Sequence, residues 1–443
     1  GDEEFLIQLM EGVEDIPGTA LHEGVDWNWE TFPEFLDAIE KKDFVMDLGF
    51  MIGHGPLRSY VMGYERCQSQ VDASEEEISK MSDLVTEAIE SGALGFSTSR
   101  TILHRDVHGV YVPGTEASSE EMKSLAFAID RAGEGTLEIV SDWLDKEIEM
   151  SWMKEYVEKS DCGLTVLQTS GDAVKTILFC EEQFLKGKNV RPQFPGRNVG
   201  MMFGLESSLH PFIGHPSYRE IAELPLAERV KIMSDPAFKE KLLKEKPNFA
   251  SEIEKSMNEQ GNAKSKEEIQ EAASLGQKLI SNYETQFILG DPPNYEPGKE
   301  DSIAALAETK GVSELEVIYD EFLKNEGTNL VYACFTPYDN HKLDFVERAY
   351  SLKSSVAGGS DGGAHCGLIC DASMPTTNLS HWARDREAGK KIPIELIVRK
   401  QTKDTAETYG LFDRGEIKTG MIADLNIIDF ENLNVTHPKM VYD

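Results

Sequence analysis

The chain alternates short apolar runs, each ending in a polar or glycine-rich turn, with longer stretches of helical spacing. The runs predict strands over Phe44–Ile52, Gly92–Thr98, Thr136–Ser141, Leu164–Gln168, Val190–Phe194, Asn329–Phe335 and Ser355–Gly359. Amphipathic spacing predicts helices over Glu75–Glu90, Glu120–Arg131 and Leu315–Lys324. Strand–helix alternation over most of a chain marks an α/β fold, and its repetition favours a (β/α)8 TIM-like barrel over a doubly wound sheet. No internal repeat occurs and no GxGxxG follows a strand, so a nucleotide-binding fold has little support.

Two segments depart from the alternation. From about residue 235 to 277 the chain is charged, helical in pattern and poor in strands, which predicts a helical insertion. After Tyr409 the pattern turns to short strands and tight turns, Gly415–Lys418, then Thr419-Gly420, then Ala423–Asp429. Such a β-element is too short to close a sheet alone.

Composition narrows the function classes. The 44 basic against 79 acidic residues give a formal charge of −35, which repels phosphate backbones and anionic membrane surfaces. Nucleic acid and membrane are therefore not expected as partners, and a small molecule is. The six cysteines form no CxxC pair, which argues against a disulfide scaffold or zinc ribbon and for reduced thiols in the cytoplasm. No apolar run approaches the roughly 20 residues that span a bilayer. The opening Gly1-Asp2-Glu3-Glu4-Phe5 is neither a signal peptide nor a start methionine, and a fragment is expected.

In a barrel the chemistry sits at the C-terminal ends of the strands, so the residues after each apolar run are the candidates. The foremost is Asp361, in the loop Gly359-Ser360-Asp361-Gly362-Gly363-Ala364-His365. Its glycines let ligands approach a carboxylate able to ligate a metal and carry a proton, with His365 beside it. After Ile52 come His54, an imidazole able to bind metal or polarise a substrate carbonyl, and Arg58, a guanidinium able to clamp a substrate carboxylate, with Arg197 as another clamp. Ser97 adds a hydroxyl at a further strand end. His104 and His108 lie in a loop with Gly109 and Pro113 rather than at metal-binding positions on a helix. His210 and His215, among Pro211, Gly214 and Pro216, predict an ordered loop, with the mouth of a pocket as the alternative. Cys366 and Cys370 read as small buried hydrophobes, and Trp27 and Trp29 as packing aromatics around a helix start at Thr31.

Together, Gly24–Phe32, Gly53–Gly63, Gly92–Thr115, Thr402–Phe430 and above all the block SDGGAHCGLICDASMPTTNLSHWARDR from Ser360 to Arg386 resemble the N-acyl-D-amino-acid deacylases (D-aminoacylases) of the amidohydrolase superfamily. The resemblance implies a barrel over residues 1–408 lacking its first strands, and a partial β-sandwich over 409–443. It also implies one or two zinc ions that activate water, Asp361 as metal ligand and general base, and an acyl amide of a D-amino acid as substrate. The family's His-x-His pair occurs nowhere in the chain. Gln168 stands where the family commonly offers a metal-ligating histidine, and Glu138 or Asp142 replaces another. Weak or no turnover is therefore expected of this chain, since a catalytic zinc usually takes three protein ligands. Two other readings remain: a hydrolase of cyclic amides (hydantoinase- or dihydropyrimidinase-like), and a non-catalytic, metal-poor barrel that binds a ligand.

Overall fold

A computed structural model describes residues 3–143, 145–168, 174–249, 273–274, 276–365 and 367–441. Six strands form a parallel sheet in the order β1-β2-β3-β4-β5-β9: β1 Ile52–Gly53, β2 Gly95–Arg100, β3 Thr136–Ser141, β4 Gly163–Leu167, β5 Val190–Pro195 and β9 Val356–Gly358. Between β5 and β9 the chain builds a second, antiparallel sheet in the order β6-β8-β7, from β6 Val199–Phe203, β7 Gln286–Ile288 and β8 Val331–Thr336.

Local sequence explains why helices form between the strands. Glu75–Glu90 begins at a capping box in which Ser74 and Glu77 satisfy each other's backbone N–H groups. Ser119–Ala132 starts at the Ser118 hydroxyl and ends at left-handed Gly133. These helices press Met81, Val85, Ile89, Met122, Leu125 and Ile129 against alternate strand residues Phe96, Leu137, Ile139, Leu164 and Val166. Because strand side chains alternate in direction, the other face of β2–β4 carries Ser97, Glu138 and Thr165 in register. A second core lies around the antiparallel sheet, with Phe203, Phe212, Tyr319, Phe322 and Val331.

The short helix Lys403–Thr408 covers the N-terminal ends of the parallel strands. Thr136 Oγ1 donates to Thr408 O at 2.7 Å, Asn189 Nδ2 to the same carbonyl at 3.0 Å, and Arg191 pairs with Glu407 at 3.2 Å. With that end of β3–β5 closed off, the C-terminal ends are left for chemistry.

Several expectations need correction. The parallel sheet does not close into a barrel among the described residues; β1 and β9 are its edges. The strand expected over Phe44–Ile52 is reduced to Ile52–Gly53, and Val45 and Met46 stand in solvent with no neighbouring strand to pair with. Gly415–Lys418 and Ala423–Asp429 likewise form no ladder, so no β-sandwich is assembled by the described residues. Ile417 and Ile427 remain fully exposed there. Within the expected insertion, Pro236–Lys244 is a helix capped by Asp235; most of the rest of that segment lies outside the described residues. No helix among the described residues is long and apolar enough to cross a membrane.

Candidate active site

Strand β9 ends at Gly358, and the chain turns sharply through left-handed Gly359 (φ +72°), Asp361 (φ +38°) and Gly363 (φ +96°). Glycine takes such backbone angles without strain, and Asp is among the few other residues that tolerate them. The turn lifts Asp361 into solvent at the C-terminal edge of the parallel sheet. Backbone hydrogen bonds hold the loop down on both sides. His365 N donates to Glu14 O of the first helix, Glu3–Glu14, and Met202 N of β6 donates to Leu368 O at 2.7 Å.

Asp361 opens onto a cavity of about 210 Å³, lined also by Met202, Leu330, Cys370, Asp371 and Lys439. Asp371 is only 2% exposed. Arg197 Nη1 lies 3.0 Å from its Oδ1 and forms a buried ion pair with it. Burial pushes the Asp371 carboxyl up to about 7; Arg197 opposes the rise and Asp361 adds to it. At neutral pH the cavity thus holds, beside the exposed Asp361, one acid poised between its two forms.

Around Asp361 stand further ionisable groups. His365 Nε2 lies 3.6 Å from Glu14 Oε2. Burial raises the Glu14 carboxyl; His365 counters this and Asp361 reinforces it. His104 Nδ1 meets Ser99 Oγ at 2.7 Å, and burial, then His365, lowers its pKa. Asp142 is bound in place by Thr101 Oγ1 and the Ile102 N–H, each at 2.7 Å.

The other expected ligand-holding groups are placed elsewhere. His54 is buried with Nδ1 2.8 Å from Thr98 Oγ1 and Nε2 2.9 Å from Glu121 Oε1. Arg58 is also buried and donates to Glu121 at 2.9 Å and to Val71 O at 2.8 Å. Both side chains are spent inside the fold, so they form an internal charge cluster and not a substrate clamp. Arg197 is wholly buried, stacked 3.7 Å from the Tyr295 ring centroid and donating to Cys370 O at 2.8 Å. Its ion pair with Asp371 ties it to the wall of the cavity. Ser97 is half-buried on the face shared with Glu138, whose carboxylate accepts from Gln193 Nε2 at 2.9 Å and Tyr409 OH at 3.0 Å.

The loop reading of His104–His108 holds, with no helix there. His210 and His215 also lie in a loop, but buried in the second aromatic core and not at a pocket mouth. Burial takes His210 down to about 3. Cys366 lies outside the described residues; Cys370 is half-buried, and burial raises its thiol pKa. Sequence reasoning passed over Asp371, Glu14 and Glu121. Asp371 lay inside the resembling block, where a second acid ten residues after Asp361 was a usable signal. Nothing local marked Glu14 or Glu121, because their roles come from distant partners.

The resemblance implies zinc, and the donor set was tested against it. Among the described residues no three His, Cys, Asp or Glu side chains converge in a metal-binding arrangement. Of the buried acceptors near the strand ends, Gln168 Oε1 is an amide oxygen and a poor zinc donor, and Asp371 is one carboxylate alone. The described residues do not fit a zinc centre.

The amidohydrolase family model matches residues 290–443, the part that contains β9 and the Asp361 loop. The chain is 25% identical over 416 residues to a D-aminoacylase of Alcaligenes xylosoxydans xylosoxydans, covering 93% of this chain and 67% of that protein. It is 23% identical over 428 residues to uncharacterized proteins of Mycobacterium bovis and Mycobacterium tuberculosis, covering 92% of this chain and 64% of theirs. The chain thus spans about two thirds of the length of these relatives. No solved structure matches. The chain is thus similar to the amidohydrolase family over residues 290–443 and, at 25% identity, to a D-aminoacylase over most of its length.

Proposed function

We propose that this chain carries the proton-transferring carboxylate of a hydrolase that deacylates N-acyl-D-amino acids, and that this carboxylate is Asp361. The observation that carries the reading is the place of Asp361: an exposed acid at the C-terminal edge of a parallel sheet, opening onto a cavity. The choice of a linear D-amino-acid amide rests on the 25% identical D-aminoacylase.

In the reaction Asp361 accepts a proton from the attacking water and returns it to the leaving nitrogen as the C–N bond breaks. An acid and an amine are released. Asp371, kept partly protonated near neutral pH by its burial, spares Asp361 a second full negative charge in the cavity. His104 lies within electrostatic reach of Asp361 and His365, and burial lowers its pKa. No step is assigned to zinc, because the described residues do not assemble its ligands.

The test is hydrolysis of N-acetyl-D-amino acids by the wild-type protein and Asp361→Asn, with N-acetyl-L-amino acids and ring amides as further arms and bound zinc measured in each preparation. Slow wild-type turnover on the D-amides, reduced at least about 100-fold in the variant, is expected. Preference for ring amides would replace the substrate class and leave the role of Asp361 standing.

A further inference from the structure

A second cavity, of about 470 Å³, lies against β1 and shares no lining residue with the Asp361 cavity. Its volume falls in the range of small-molecule sites. Trp27, Trp29, Phe35 and Tyr60 line it, with the Trp29 and Phe35 rings edge to face at 5.1 Å. The charged residues in its wall are Glu3, Glu30 and Glu87, and no lysine or arginine is among the described lining residues. Glu30 Oε1 accepts from Tyr60 OH at 3.2 Å. Burial, then Glu30, Glu34 and Glu87, raises the Tyr60 phenol pKa, so the carboxylates act together on that wall. Lys80 Nζ, 5.8 Å from the Tyr60 centroid, stands outside the lining.

Aromatic faces carry partial negative charge and attract cations, most of all those too weakly hydrated to prefer water. Uncompensated carboxylates add to that field and repel anions. We propose that this cavity binds a small organic ammonium ion, held against the rings of Trp27, Trp29 and Tyr60 with Glu30 as counter-charge. The site is independent of hydrolysis.

Titration calorimetry on the full chain tests this with choline and its neutral isostere 3,3-dimethylbutan-1-ol, which has the same shape and hydroxyl but no charge. Saturable choline binding roughly ten-fold tighter than the isostere is expected. Trp29→Ala should weaken it several-fold. Glu30→Gln, which leaves the ring packing intact, should weaken choline alone and leave the isostere unchanged. No saturable binding of choline, equal affinity for both compounds, or choline binding unchanged in Glu30→Gln would overturn the proposal.

Discussion

Glu121 shows how one residue decides the state of several. It is fully buried, with His54 and Arg58 both on Oε1 at 2.9 Å and Arg58 reaching Oε2 as well at 3.5 Å. Burial alone would raise its carboxyl, but hydrogen bonds and charge from those partners outweigh this and lower it. Removing one member of a buried charge cluster strands the others, so Glu121→Ala should cost about 3–5 kcal/mol, read from the urea midpoint. A loss below about 1 kcal/mol would mean that Arg58 and His54 find water in the mutant. Asp371 works in the opposite sense. Its folded-state pKa is raised from 3.8 to about 7, so the folded protein holds that proton more tightly than the unfolded one. The resulting stabilisation is complete below 3.8 and lost as pH rises through about 7. Asp371→Asn, neutral at every pH, should remove that decline from the pH dependence of the urea midpoint. Parallel pH profiles in the two proteins would contradict the burial argument.

At the scale of elements, the parallel sheet depends on close contacts that no side chain can enter. Gly95 opens β2 with φ +154°, and a Cβ there would lie 1.9 Å from Thr136 O of the neighbouring strand. Gly95→Ala should therefore separate β2 from β3 at a cost of about 3 kcal/mol, visible as a lowered thermal midpoint. An unchanged midpoint would show that the strands shift freely. The same elements show what was legible beforehand. Helix Glu75–Glu90 was read to the residue, because its start is written locally as Ser74-x-x-Glu77 and its apolar positions recur at helical spacing. Strands β2 to β5, β8 and β9 were found within a few residues, since each is an apolar run closed by a turn. β6 and β7 are not among the predicted strands: β6 follows β5 after only Gly196-Arg197-Asn198, and β7 is three residues long. The failures at Phe44–Val45 and Ala423–Asp429 have another cause. Alternation describes one strand, whereas a ladder needs a partner, and pairing is not encoded in the segment itself. The site was half legible for the same reason. Asp361 follows its strand in sequence, but the burial of His54, Arg58 and Arg197 depends on Glu121, Asp371 and Tyr295, each distant along the chain.

On the scale of the whole molecule, the fold separates stability from chemistry. The helix Lys403–Thr408 ties off the N-terminal ends of β3–β5, the outer helices bury one face of the sheet, and the C-terminal edge carries the ionisable groups. A net charge of −35 surrounds this arrangement and suits it to a small substrate rather than to a polyanion. The account stands on Asp361, and the decisive measurement is the rate of N-acetyl-D-amino-acid hydrolysis by the wild-type protein and by Asp361→Asn, with circular dichroism confirming that both are folded. A wild-type rate above background that falls at least about 100-fold in the variant is predicted. Equal rates above background in the two proteins would contradict it.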